Sequence, residues 1–160
     1  MKRTFMKTFG GMALAISLLT LFAAQKASSE QGGSGRLDGT WDVQLTVRNC
    51  QTGATIRTLP EVATFMFGGT MLYSTSGIPQ SLKTPGHGNW RHVSGNNYEF
   101  EFKSLNFDAG GVFTGWTIVI HAATLNSEAT GYISEGTAEV FNPNGTSIFK
   151  GCSTATATRL

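Results

Sequence analysis

The chain has 160 residues, enough for one domain, and 12 Lys+Arg against 10 Asp+Glu. Lys2, Arg3, Lys7 and Lys26 all fall at the N-terminal end, so residues 28–160 hold 8 Lys+Arg and 10 Asp+Glu, a net charge of −2. No Lys/Arg cluster remains there, which excludes the electrostatic footprint of a nucleic-acid binder.

Lys2, Arg3 and Lys7 precede an uncharged, mostly apolar run from Phe9 to Ala24, and the small residues Ala23, Ala24 and Ala27 follow. That is the layout of a secretory signal, expected over residues 1–27 with cleavage after Ala27, or alternatively after Ala24. An uncleaved N-terminal anchor is the other reading, although the run falls short of the roughly 20 residues of a bilayer span. The mature protein is thus expected to be exported, periplasmic or secreted, with no membrane span. Residues 28–36 lack apolar side chains and form a flexible leader before a single domain at 37–160.

From Leu37 onward alternation and turn signals dominate over any helical period. Trp41, Val43, Leu45 and Val47 alternate with Asp42, Gln44, Thr46 and Arg48 in a first strand. Gln51 to Pro60 reads as a turn-rich connection. A second strand runs from Glu61 to Phe67, with Ala63, Phe65 and Phe67 on one face. Gly68-Gly69 is a hairpin signal into a third strand, Thr70 to Thr75. Ser76 to Gly88 is the one long loop, holding Ile78 and Leu82 among prolines and glycines. Asn89 to Ser94 is a short fourth strand. In the fifth, Tyr98, Phe100 and Phe102 alternate with Glu99, Glu101 and Lys103. The sixth, Val112 to Thr124, is apolar on both faces at its middle, the seventh runs from Ala129 to Phe141 and the eighth from Thr146 to Arg159.

Strands joined in this way by short links form an all-β meander. Closing it removes two exposed edges, and eight strands suit a barrel that is either filled or holds one small ligand. The predicted fold is an eight-stranded antiparallel up-and-down barrel. A β-sandwich is the alternative, but it usually needs long crossing connections. Closure places the last strand antiparallel to the first, so the end of one neighbours the start of the other. Cys50 and Cys152 lie at those two places, and in an exported chain they are expected to form a disulfide rather than two buried free thiols. If they sit directly opposite, Arg159 faces Val43 and lies diagonal to Trp41.

Gly39-Thr40-Trp41, opening an amphipathic strand after a short leader, resembles the G-x-W start of the calycins, the superfamily of lipocalins, fatty-acid-binding proteins and avidins. The short hairpins, Asn49-Cys50-Gln51-Thr52-Gly53 with a late cysteine, and Thr84-Pro85-Gly86-His87-Gly88 resemble small exported lipocalin-like bacterial proteins. The resemblance implies that a basic residue near the C-terminus closes the barrel base over the tryptophan, and Arg159 matches that position. The T-D-x motif of typical lipocalins is absent, and residues 51–60 leave no room for the helical pair of fatty-acid-binding proteins.

No nucleophile–base signature, phosphate loop, cofactor motif or metal pair is legible. His87 and His92 are five apart and point to opposite sides of a strand, and His121 reads as a strand histidine with a satisfied hydrogen bond. Glu99 and Glu101 are expected to face solvent. Glu135 is ambiguous: outward, or a buried acid that binds a polar head or acts as acid/base.

The expected function is therefore binding of a small apolar or amphipathic ligand, lined by residues such as Phe65, Phe100 and Phe102. The ligand would enter beneath the 76–88 loop, past Ile78 and Leu82, with the far end plugged at Trp41. The alternatives are a structural or interaction module with a filled interior, and a barrel cyclase or isomerase that uses Glu135. No cofactor is expected.

Overall fold

The computed structural model describes Leu37–Leu160; the expected signal segment and leader lie outside the described residues. Eight antiparallel strands follow one another around a closed barrel: β1 Gly39–Arg48, β2 Thr55–Met66, β3 Thr70–Thr75, β4 Gly86–Ser94, β5 Asn97–Phe107, β6 Phe113–Leu125, β7 Gly131–Phe141 and β8 Ser147–Arg159. Closure comes from β1 pairing with both β2 and β8, so neither end of the meander is left as an open edge. No helix among the described residues is long and apolar enough to cross a membrane.

Period-2 alternation sorts the side chains as the sequence demands: Trp41 and Val43 are buried while Asp42 and Gln44 are exposed, and Tyr98, Phe100 and Phe102 point inward while Glu101 and Lys103 point out. Strand seven, ambiguous in the sequence, resolves the same way. Tyr132 and Ser134 are buried, so Glu135 faces outward and is no interior acid.

Three expectations are corrected. The second strand starts earlier: Thr55–Pro60 is not a turn-rich connection but the first half of β2, paired with β1 down to Thr55. Pro60 is tolerated there because the β2–β3 ladder reaches only Glu61 and Thr75, so its missing N–H is not needed by a third strand. Phe67 is not on the inner face. The strand ends at Met66, and Phe67 sits 73% exposed in the tight turn. Finally, Arg159 does not face Val43. The β1–β8 ladder pairs Trp41 with Arg159 and Arg48 with Cys152, two residues out of the expected register. The disulfide Cys50–Cys152 still forms, with Cα atoms 5.2 Å apart, because Cys50 lies past the end of β1 and reaches Cys152 diagonally.

The base is packed solid. Leu37, Trp41, Phe65, Met71, Trp90, Tyr98, Leu125 and Tyr132 are all buried there. Their rings meet mostly edge to face, Trp41 against Tyr132 at 5.0 Å and Phe65 against Phe100 at 5.3 Å. The indole N–H groups of this plug are satisfied: Trp41 donates to the Leu37 carbonyl and Trp90 to the Met66 carbonyl, each at 3.0 Å.

Candidate functional site

Above the plug the inner strand faces carry smaller residues, and the barrel is hollow. A cavity of about 430 Å³ is lined by Val43, Leu45 and Val47 of β1, Leu59, Glu61 and Ala63 of β2, Tyr73 and Thr75 of β3, Phe100 and Phe102 of β5, Val119 and His121 of β6, and the inward residues of β7 and β8. That is the size of a small-molecule site, and most of the lining is apolar. It opens at the end away from Trp41, where two lining residues, Ile56 and Phe149, are 62% and 57% exposed.

Of the residues expected to line it, Phe100 and Phe102 do, whereas Phe65 belongs to the plug. Ile78 also lines the cavity, and Leu82 does not. The loop is also shorter than expected, because Gly86–Gly88 opens β4. What remains is held on both flanks. Ser76 N–H donates to the Pro60 carbonyl at 3.2 Å, Thr84 N–H to Leu105 at 3.0 Å, and Phe107 N–H to Leu82 at 2.9 Å, with Lys83 bridged to Asn106. Strands β3 and β4 pair only between Thr70–Tyr73 and Gly86–Asn89, and this segment completes the wall above them. It is a wall of the cavity rather than a loose lid.

Two buried polar clusters interrupt the apolar lining: Glu61 with Lys83, neither of which was expected, and His121, which is the strand histidine with satisfied hydrogen bonds that the sequence leads one to expect. The first is Glu61, 4% exposed, which shares the inner face of β2 with Ala63 and Phe65. The Tyr73 hydroxyl donates to its carboxylate, and burial pushes its pKa up despite hydrogen bonds from Tyr73 and Thr75. The Tyr73 phenol is itself held protonated, by burial first and by Glu61 second. Its ring stacks on Phe102 at 4.0 Å, which is possible because Gly86 lies between them: a Cβ there would meet the Phe102 ring at 2.5 Å. Lys83, 8% exposed, lines the same cavity from the 76–85 segment. Burial lowers its pKa, and Glu61 partly offsets this without a direct ion pair.

The second group is His121, whose two ring nitrogens lie 3.0 Å from Ser134 Oγ and 2.9 Å from Ser153 Oγ. A neutral imidazole has one N–H and one lone pair, and two hydroxyls complement either tautomer. Burial holds its pKa down at about 4, so it is neutral at pH 7. Gly136, its cross-strand neighbour, lets the ring lie over β7 and reach β8. A Cβ at Gly136 would come within 2.4 Å of His121 Cδ2 and 2.0 Å of the Ile120 carbonyl oxygen.

The sequence did carry a signal for Glu61, since it has the parity of Ala63 and Phe65. Lys83 had none, because it lies in a segment without strand period. His87 and His92 fall on opposite faces of β4, as their spacing requires. Scanned against protein-family models the chain matches none, and a search of curated proteins returns no match either.

Proposed function

We propose that this protein is an exported, lipocalin-like binding barrel that takes one small amphipathic molecule into its cavity, polar end toward Glu61 and Lys83. The observation that carries the reading is the division of the interior: solid aromatic packing at the Trp41 end, and about 430 Å³ of mostly apolar hollow open at the other. A hollow of this kind leaves apolar lining without contacts, and an entering ligand restores them. It also argues against the filled interaction module. The disulfide and the N-terminal charge and apolar pattern support export.

The direct test is titration of the purified, oxidised protein with N-phenyl-1-naphthylamine, a dye that brightens in apolar surroundings. Saturable one-to-one brightening is expected, and it should be lost when Ala138→Trp or Val140→Trp fills the cavity while the far-ultraviolet dichroism is unchanged. Brightening that survives both variants would remove the cavity as the site. Native mass spectrometry of protein from its own host would then identify a co-purifying molecule.

A further inference from the structure

We propose that Lys83 is a covalent capture residue: its ε-amine, buried in the cavity with the Glu61 carboxyl, condenses with an apolar aldehyde that enters at the mouth and holds it as an imine. The proposal rests on the reading of this cavity as a ligand site and deepens it by naming the ligand's functional group.

The geometry is specific to this one lysine. Among the described residues there are three, Lys83, Lys103 and Lys150. Lys103 lies outside, its ammonium 4.3 Å from the Trp116 ring centroid, and Lys150 is solvent-exposed on β8. Lys83 alone turns inward. The hydrogen bonds of Leu82 and Thr84 to β5 fix the backbone on both sides of it, and alternation about its bridge to Asn106 directs the side chain into the barrel.

An ammonium ion has three donors to satisfy, and no hydrogen bond or ion pair to the Lys83 side chain forms among the described residues. A free amine is far cheaper to bury, and burial here moves Lys83 in that direction. A desolvated lysine in an apolar pocket is the usual form of an amine nucleophile.

Glu61 supplies what the condensation needs. Burial keeps its carboxyl toward the protonated form, and Tyr73 and Thr75 hold it in place. The amine nitrogen adds to the aldehyde carbon, giving a carbinolamine. The Glu61 acid then gives its proton to the carbinolamine hydroxyl, the C–O bond breaks, water leaves, and the C=N bond forms. The products are a protonated imine on Lys83 and a Glu61 carboxylate beside it, one water released and no change in oxidation state. The pair of opposite charges is better suited to this interior than either alone.

The test uses the oxidised protein at neutral pH, trans-cinnamaldehyde as the probe, sodium cyanoborohydride as the trap, and peptide mapping. The expected result is reductive tagging of Lys83 several-fold above Lys103 and Lys150, because burial favours its free amine. N-phenyl-1-naphthylamine should suppress the tag at Lys83 alone. Lys83→Arg should carry no tag above the surface lysines, and Glu61→Gln should slow tagging of Lys83, with the dye titrated on each variant so that a change in binding is read separately from a change in capture. If the dye binds but Lys83 is tagged no more than Lys103 and Lys150, or if the dye does not suppress the tag, the capture role is overturned and the binding cavity stands. If the dye does not bind and Lys83 is not tagged, the cavity reading itself falls.

Discussion

The Arg159 guanidinium lies over the Trp41 indole, 4.2 Å from the ring centroid, and the two residues are direct cross-strand partners at the β1–β8 seam. The guanidinium also donates to the Ala129 carbonyl at 2.8 Å and to the Asp38 carbonyl, so one side chain ties the last strand to the β6–β7 turn and to the entry of β1. Gly39 makes this possible: its φ is 120°, and a Cβ there would stand 2.6 Å from an Arg159 terminal nitrogen.

Arg159→Ala should therefore lose a cation–π contact of about 0.5–2 kcal/mol together with charge-assisted hydrogen bonds. We expect a fall in melting temperature of several degrees, roughly 3–6 °C per kcal/mol for a domain of this size. A change in Trp41 fluorescence should accompany it. Arg159→Lys should recover only part of the loss, since an ammonium cannot match the planar fork. An unchanged melting temperature in Arg159→Ala would show that the seam closes without it.

The disulfide joins residues 102 positions apart. In the chain-entropy model a loop of that length is worth about 4–5 kcal/mol. Reduction, or Cys50→Ser with Cys152→Ser, should lower the denaturant midpoint accordingly, and thiol titration of the unfolded, unreduced protein should find no free thiol. Two titratable thiols would contradict the pairing.

His121 gives stability a defined pH dependence. Its pKa is about 4 in the folded protein and about 6.5 in an unfolded chain. Between those values the unfolded chain binds a proton that the fold does not, so this group's contribution is intact above about pH 6.5 and is lost progressively as pH falls toward 4. The loss is on the order of 3 kcal/mol. His121→Gln should lack this component, so the stability difference between the two proteins should change between pH 7 and pH 4.5. Carboxylates common to both cancel in that comparison, and parallel pH profiles would refute the assignment.

Gly136→Ala should destabilise strongly for an exposed-to-interior strand glycine, by about 1–3 kcal/mol, because the added methyl meets the His121 ring and the Ile120 carbonyl. Combining it with His121→Ala should relieve the ring clash but not the backbone one, giving a double mutant less unstable than the sum. Strict additivity would mean that the His121 ring does not lie over Gly136.

Much of this architecture was legible in the chain. Alternation in β1 and β5, the turn residues between strands, and two cysteines that meet at one end of the closing seam were enough for an eight-stranded closed barrel, and the G-x-W resemblance added the Trp41–Arg159 base. These features act locally, or through a covalent link, so they survive without knowledge of the fold. The two-residue difference at the seam arises at the cysteines: directly opposed cysteines would set Arg159 against Val43, whereas Cys50 stands beyond the end of β1 and crosses to Cys152 diagonally.

The cavity and its polar groups belong to the tertiary structure. Parity could assign Glu61 to the inner face, but only the ladders from β1 through β3 bring it level with Tyr73 and the 76–85 segment. Lys83 turns inward through a single bridge to Asn106, and His121 reaches Ser153 only because Gly136 lies between β6 and β8. Side-chain period along one strand decides which face a residue takes; the height at which residues of different strands meet depends on register and shear summed around the closed barrel, and that sum decides where the interior is filled and where it is hollow.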